Sequence, residues 1–239
     1  MPARYFEKHV FNPWNLFPGI GERVSSIIKN IRQHAGEESP WLEKLDAVFN
    51  AMDTGYEQAA GRHGFVCRGC EDNCCRTRFY HHTLLEYMAI YQGYTRLAQQ
   101  ERERVHARAV EYCRQHAGAD GAGTRVKPWC PLNDKGRCLI YDLRPMICRL
   151  HGIPHMLQSP GGGTVQGAGC EYFMTHHPAE AHAPLDRTPF YMEMSGLEKK
   201  FRAELSVNVK FKQTIAEMIL SFRSHKSAED PERQKGGDS

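Results

Sequence analysis

Four cysteines fall within nine residues in the sequence CRGCEDNCC, which spans residues 67–75. A Cys-x2-Cys pair places two thiolates on the same side of a tight turn, where backbone N–H groups can donate to the sulfurs. This spacing recurs in zinc sites and in iron–sulfur sites. Cys74 and Cys75 are adjacent, and neighbouring residues do not easily supply two corners of one compact tetrahedron. We therefore expect them to serve two metals or two corners of an enlarged cluster.

A second group of four cysteines lies between residues 130 and 170, with seven, nine and twenty-one residues between successive members. Ligands so widely spaced need a partner from elsewhere in the chain to fix them. We therefore expect the two groups to interleave, so that at least one metal or cluster takes ligands from both. The predicted metal ligands are Cys67, Cys70, Cys74, Cys75, Cys130, Cys138, Cys148 and Cys170.

The ninth cysteine and two histidines need separate interpretations. Cys113 lies on a predicted helix, far in sequence from the other cysteines, and is interpreted as a small core residue. His151 and His155 follow Cys148 closely, and either can fill a coordination position. A histidine that only makes hydrogen bonds in a loop is the commoner outcome, so ligation by either stays open.

Basic residues flank both cysteine groups, which suits a metal bound by several thiolates, because such a site carries net negative charge. Arg144 and Arg149 lie on either side of Cys148 and are the predicted cofactor-binding residues. Pro145 biases Arg144 away from helix. A strand-like segment at 139–141 would then end in a turn that delivers Cys148, and Arg144 would donate to a sulfur or to a partner carboxylate.

Composition narrows the class of protein. The cysteine count of nine is odd, and the chain shows neither an export signal nor an apolar segment long enough for a membrane span. We therefore expect a cytoplasmic protein whose thiols stay reduced, without a disulfide framework. The net charge of +3, from 31 basic and 28 acidic residues, does not indicate nucleic-acid binding. The expected partners are a metal ion or cluster and a protein substrate or partner, with no nucleic acid and no membrane.

Helical patterns surround the cysteine groups. Ser39 is the predicted N-cap of a helix that ends near Gly61, and the sequence TLLE from Thr83 predicts a capping box that opens a second helix. A third helix is expected from about Leu97 to His116. The predicted fold is mainly α with little β, around an irregular, metal-stapled, cysteine-rich centre. The predicted organisation is an N-terminal helical region at 1–63, a cysteine-cluster domain at 64–172 with a helical insertion at 79–128, C-terminal helices at 173–223 and a disordered tail at 224–239.

The two cysteine groups together resemble the YkgJ-like cysteine-cluster family, which has a CxxCxxCC signature and is described as a zinc- or iron-chelating domain. The resemblance covers about residues 64–172 and rests on CRGCEDNCC, on the Cys130-Pro131 step and on CLIYDLRPMICR. Three residues separate Cys70 from Cys74, where the signature has two.

The resemblance implies a bacterial protein that chelates zinc or iron. The first hypothesis is a metal-binding protein that holds an iron–sulfur cluster or iron and does redox or catalytic work, such as modification of another protein. A similar cluster occurs in flagellin lysine methylases, where it is associated with an iron–sulfur centre. The alternative is a zinc-stabilised structural or interaction module without catalysis, in which metal replaces a missing core. The Cys130-Pro131 step is similar to ferredoxin-type runs and slightly favours iron. Whether the protein is an enzyme stays open.

Overall fold

The computed structural model describes residues 28–36, 38–67, 74–177 and 183–223 of the protein. The helices, in chain order, are α1 (Pro40–Arg62), α2 (Leu84–Arg96), α3 (Gln99–Gly121), α4 (Met146–Arg149), α5 (Glu171–His176), α6 (Thr188–Glu204) and α7 (Ile215–Arg223). The strands are β1 (Asn133–Asp134), β2 (Arg137–Cys138), β3 (His155–Gln158), β4 (Thr164–Gly167) and β5 (Leu185–Asp186). Of the described residues, 56% are helical and 9% lie in strands, which confirms the mainly α fold with little β. The metal-stapled character of the centre stays a prediction.

The predicted helix starts are confirmed by their caps. Ser39 Oγ accepts a hydrogen bond from the backbone of Leu42 at 3.4 Å, at the start of α1. Thr83 Oγ accepts from the backbone of Glu86 at 3.2 Å and donates to the Glu86 carboxylate at 2.7 Å, at the start of α2. These short polar side chains satisfy N–H groups that have no partner within the first helical turn.

Helix α3 continues to Gly121, past the predicted end at His116. Two contacts outside the helix explain the extra turn. Ala119 is buried, and Arg78 pairs with both carboxylate oxygens of Asp120 at 2.9 and 3.0 Å. Tertiary packing therefore outweighs the poor helix propensity of the glycines in this segment.

The core lies between the long helices. α3 packs on α7, and α1 packs on α6. Tyr87 of α2 is fully buried, and its ring meets those of Phe211 and Phe222 edge-on at 5.8 and 5.2 Å. Its hydroxyl shares a 2.9 Å hydrogen bond with Ser221. The C-terminal part of the described chain, in α7 and just before it, thus supplies aromatic side chains to the core that carries the cysteine region.

The region from 130 to 170 is less irregular than the sequence indicated. β1 and β2 form an antiparallel hairpin, and β3 pairs with β4 on one side and with β5 on the other. The SPGGG sequence forms the turn between β3 and β4, where Gly162 and Gly163 take positive φ values of 79° and 123°. The strands are too short to show a clear alternation in sequence, and their order depends on pairing across the turn.

The prediction of a strand at 139–141 is wrong. The strand lies earlier, at Arg137–Cys138, and Tyr141–Leu143 forms a 3-10 turn. Ile140 is buried against the backbone of α2 at Gly93, so its apolar character reflects this contact and not a strand.

Some predictions fall on parts of the chain that the structure does not describe. These include the ligand Cys70, the tail at 224–239 and most of the segment before α1. The predicted domain bounds stay a prediction. Within the described ranges, no helix combines the length and the apolar character that crossing a membrane requires.

Candidate metal centre

A cavity of about 1110 Å³ lies between α1, the segment that begins at Cys74, the β1–β2 hairpin and α4. Its wall contains thiols from both cysteine groups. The cysteines of the wall are Cys67, Cys74, Cys75, Cys130, Cys138 and Cys148. The structure therefore brings together six of the eight predicted ligands, although up to 81 residues separate them in sequence.

The two cysteine groups meet through their backbones. The N–H of Cys130 donates to the carbonyl of Cys75 at 2.6 Å. Arg76 strengthens the junction, because its Nε donates to the carbonyl of Lys127 at 3.1 Å and its guanidinium lies over the ring of Trp129. This junction gives the two groups the proximity that interleaving requires, while the sharing of one metal stays a prediction.

The β1–β2 hairpin places Cys130 and Cys138 at the cavity. Its two-residue turn uses positive φ at Lys135 and Gly136, and Leu139 donates to the carbonyl of Leu132 at 2.9 Å. Burial raises the pKa of both thiols. Each sulfur faces the backbone N–H two residues later, that of Leu132 or of Ile140, and this hydrogen bond opposes the rise. Such N–H donors favour a thiolate over a thiol.

A short helical turn places Cys148. Pro145 precedes α4, and the backbone N–H of Cys148 donates to the carbonyl of Pro145 at 3.0 Å. The N–H of Met146 donates to the buried carboxylate of Glu86 at 2.9 Å. Glu86, which the sequence marked only as a helix cap, therefore also fixes the turn that carries Cys148. Sequence reasoning missed this second role, because the two residues are 60 positions apart.

The central thiols are close enough to form hydrogen bonds with one another. Cys75 and Cys74 are linked in this way, and Cys74 is linked to Cys148. The bond to Cys74, followed by burial, raises the pKa of Cys75, whereas the Asn133 amide opposes the rise. Burial, and then the nearby Cys75, raises the pKa of Cys130.

Cys138 shows how surrounding charges act on these thiols. Burial raises its pKa to about 11, against the lowering effects of the Ile140 N–H and of Arg144 and Arg149. Without a cation such a group of thiols stays protonated. Metal binding would therefore release protons from it.

The two predicted cofactor-binding arginines both line the cavity, and both pair with one carboxylate. Arg144 donates to Asp53 Oδ1 at 2.7 Å, and the buried Arg149 donates to Asp53 Oδ2. The sequence predicted that Arg144 would meet a sulfur or a carboxylate, and the structure identifies the carboxylate as Asp53. Nothing in the local sequence marks Asp53, which lies on α1, outside both cysteine groups. A direct role of the arginines in cofactor binding stays a prediction.

The other two described cysteines, Cys170 and Cys113, are not among the residues that line the cavity. Cys170 is buried and begins α5, where its sulfur accepts from the backbone of Phe173 at 3.4 Å. Cys170 is not part of the cavity wall, but it lies near Tyr56, and Tyr56 lines the cavity. Burial, and then Cys67 and Cys170, raise the pKa of the Tyr56 phenol. Cys113 is also outside the wall, and burial raises its pKa to about 12.

The structure separates the two candidate histidines. His151 lines the cavity, and its ring meets that of Phe79 edge-on at 5.4 Å. His155 lies on β3, outside the cavity wall, with its ring packed against Gly167. Of the two, only His151 faces the same space as the thiols.

The described residues do not form a preassembled metal site. Among them, no three His, Cys, Asp or Glu side chains are arranged as ligands of one ion. The donor set nevertheless suits a thiolate-bound metal, because six thiols share one cavity. The buried side-chain amide of Asn133 lies next to Cys75, and its hydrogen bond to that thiol opposes the rise in the thiol pKa. An N–H donor in this position suits a metal-bound thiolate.

Comparison with known proteins agrees with this site. Residues 66–161 match the family model "CxxCxxCC: Putative zinc- or iron-chelating domain". The matched segment is about two-fifths of the chain and contains every predicted ligand except Cys170. The match confirms the resemblance that the two cysteine groups predicted, and it supports binding of zinc or iron. No curated protein and no solved structure matches the chain.

Proposed function

We propose that this protein holds an iron–sulfur cluster or iron through thiolates from both cysteine groups. The observation that carries the proposal is the convergence of six cysteines on one cavity, with the backbones of Cys75 and Cys130 joined by a hydrogen bond. The proposed ligands are the eight cysteines that the sequence predicted. Cys74, Cys75, Cys130, Cys138 and Cys148 form the central part, and Cys67, Cys70 and Cys170 complete the set.

Two features favour a cluster over a single ion. A structural zinc ion takes four ligands, whereas six thiols line the cavity. Cys74 and Cys75 both belong to the wall, and adjacent residues suit separate corners of a larger assembly. In their present arrangement the thiols of Cys74, Cys75 and Cys148 are hydrogen-bonded to one another. Binding therefore requires these side chains to turn toward a common centre as their protons leave.

The second candidate function is a zinc-stabilised structural or interaction module without catalysis. The β1–β2 hairpin favours it, because backbone N–H groups face the sulfurs of Cys130 and Cys138. A tight turn that presents cysteines in this way is common in structural zinc sites. In that case the metal would mainly stabilise the junction between the two cysteine groups.

The cavity also leaves room for chemistry on a partner molecule. Its volume of about 1110 Å³ compares with roughly 300–1,000 Å³ for typical ligand pockets. A metal centre on its wall would therefore face a space that a substrate group can enter. We infer redox or protein-modifying work on a protein partner, in a reducing cytoplasm of a bacterial cell, as the function that uses this space. Arg144 and Arg149 would offset the negative charge of the centre from the cavity wall.

Metal analysis of the full-length protein, purified without oxygen, tests the proposal and separates the two candidates. Iron with acid-labile sulfide and a brown colour is the expected result. A colourless protein with stoichiometric zinc would favour the structural module. A protein that retains neither metal, and takes up neither under reducing conditions, would overturn both.

A further inference from the structure

A single carboxylate joins the two arginines beside Cys148 to helix α1. Asp53 Oδ1 accepts from Arg144 at 2.7 Å, and Oδ2 accepts from Arg149. All three side chains are shielded from solvent, with exposed fractions of 26% for Asp53, 14% for Arg144 and 2% for Arg149. An ion pair of this kind is screened much less than one at the surface.

Arg149 also closes the turn that carries Cys148. Its Nε donates to the carbonyl of Arg144 at 2.9 Å, and its terminal nitrogen donates to the carbonyl of Asp142. The guanidinium lies over the ring of Phe49, 4.0 Å from the ring centroid, on the same helix as Asp53. The segment 142–149 is thus wrapped around one guanidinium, and α1 holds that guanidinium from outside the segment.

Loss of the Asp53 charge would leave two like charges close together, one of them buried. A buried charge that loses its partner is strongly unfavourable, so the segment 142–149 would rearrange to expose Arg149. Cys148 lies within this segment, and its sulfur would leave the position beside Cys74. In this arrangement Asp53 would control the placement of a proposed ligand through the two arginines.

We propose that Asp53 is a positioning residue of the metal centre, which holds the Cys148 turn in place through Arg144 and Arg149 before metal binds. This inference rests on the proposed function, because it assumes that Cys148 is a ligand. Asp53 lies outside residues 66–161, so the family match does not include it.

Zinc affinity of the full-length, reduced, metal-free protein tests this role, measured by titration against a competing chelator. Asp53→Asn is expected to weaken zinc binding about 10–100-fold, the usual effect of losing a group that orients a ligand. Asp53→Glu keeps the charge and should recover most of the affinity. The matched control is Glu43→Gln, an exposed carboxylate in the first turn of the same helix, which should bind as the wild type does.

A double-variant comparison shows whether Asp53 acts through the arginines. Because Asp53→Asn and Arg144→Gln break the same ion pair, their effects on zinc affinity should be less than additive. Full additivity, or an Asp53→Asn affinity within twofold of wild type, would overturn the inference and leave the proposed function standing. If Asp53→Asn does not fold, Arg144→Gln alone decides, and unchanged affinity overturns the role. A wild-type protein that takes up neither zinc nor iron under reducing conditions would overturn both proposals.

Discussion

Cys148 illustrates how one residue combines a proposed ligand with a structural position. Its sulfur is hydrogen-bonded to Cys74 of the other cysteine group, while its backbone is part of the α4 turn. Cys148→Ser should therefore lower metal content and the free energy of unfolding together, the latter by several kcal/mol, as roughly expected for loss of a structural ligand.

Cys113→Ser is the control for this prediction. Cys113 is half-buried on α3 and outside the cavity wall, so the substitution should cost only about 1 kcal/mol and leave metal content unchanged. Metal analysis and urea unfolding of both variants provide the comparison. Equal metal loss in the two variants would contradict the assignment of Cys148 as a ligand.

Glu86 supports the centre from the core and gives a prediction about pH. Burial alone would raise its pKa, but His81, Thr83 and the Met146 N–H outweigh burial, and the pKa is lowered. A carboxylate whose pKa is lowered in the folded state contributes stability at neutral pH and loses it as the pH falls through the folded value. Unfolding free energy should therefore decline in acid, and the decline should be smaller in Glu86→Gln.

Glu86→Gln should also destabilise the protein at neutral pH by about 1–3 kcal/mol, because buried donors lose a charged acceptor. Glu103→Gln is the control, since Glu103 is exposed on α3. Urea unfolding at several pH values measures both effects. The same pH dependence in wild type and Glu86→Gln would contradict this account of Glu86.

At the scale of elements, the β1–β2 hairpin determines how Cys130 and Cys138 meet. Gly136 has a φ of 86°, a conformation that residues with a side chain rarely adopt. Gly136→Ala should cost about 1 kcal/mol or more in unfolding free energy, and it should weaken zinc binding because the turn would shift both thiols.

Gly161→Ala is the matched control for the hairpin. Gly161 lies in the β3–β4 turn, without a positive φ, and a methyl group there would meet open space. Its zinc affinity and thermal midpoint should stay near wild type. If Gly136→Ala binds zinc as tightly as this control, the hairpin does not preorganise the centre.

The elements also show what the sequence can predict here. The N-caps Ser39 and Thr83 act within three residues, so local chemistry is enough to place the starts of α1 and α2. The hairpins depend on contacts between residues far apart in sequence, such as the backbone hydrogen bond between Cys75 and Cys130. Their strands are two to four residues long, too short to show an alternation of apolar and polar residues. Asp53 is 96 positions from Arg149, and no motif links the two. The sequence therefore predicted the cysteines that meet at the cavity, but not the residues that fix the turns carrying them.

At the scale of the whole molecule, the cysteine groups are held by helices that lie outside the matched family segment. α1 supplies Asp53 and part of the cavity wall, and α7 supplies wall residues next to its start. Metal binding in the cavity should therefore stabilise the entire helical core, because elements from both ends of the described chain line this cavity. We expect removal of metal with a chelator under reducing conditions to lower the thermal midpoint in one cooperative transition.

Scanning calorimetry of the metal-loaded and metal-free protein measures this effect. Restoring the metal should restore the midpoint, since a ligand that binds only the folded state stabilises it by mass action. An unchanged midpoint after complete metal removal would mean that the helices form the core without help from the centre.

The central claim is that one metal centre takes sulfur ligands from both cysteine groups. An anomalous difference map from crystals of the full-length protein, recorded at the absorption edge of the metal found by analysis, tests it most directly. The account predicts a metal bonded to at least one sulfur from residues 67–75 and at least one from residues 130–170, within the cavity that contains Cys74 and Cys148. Two separate metals, each bound by one group alone, or a metal bound outside this cavity, would contradict it.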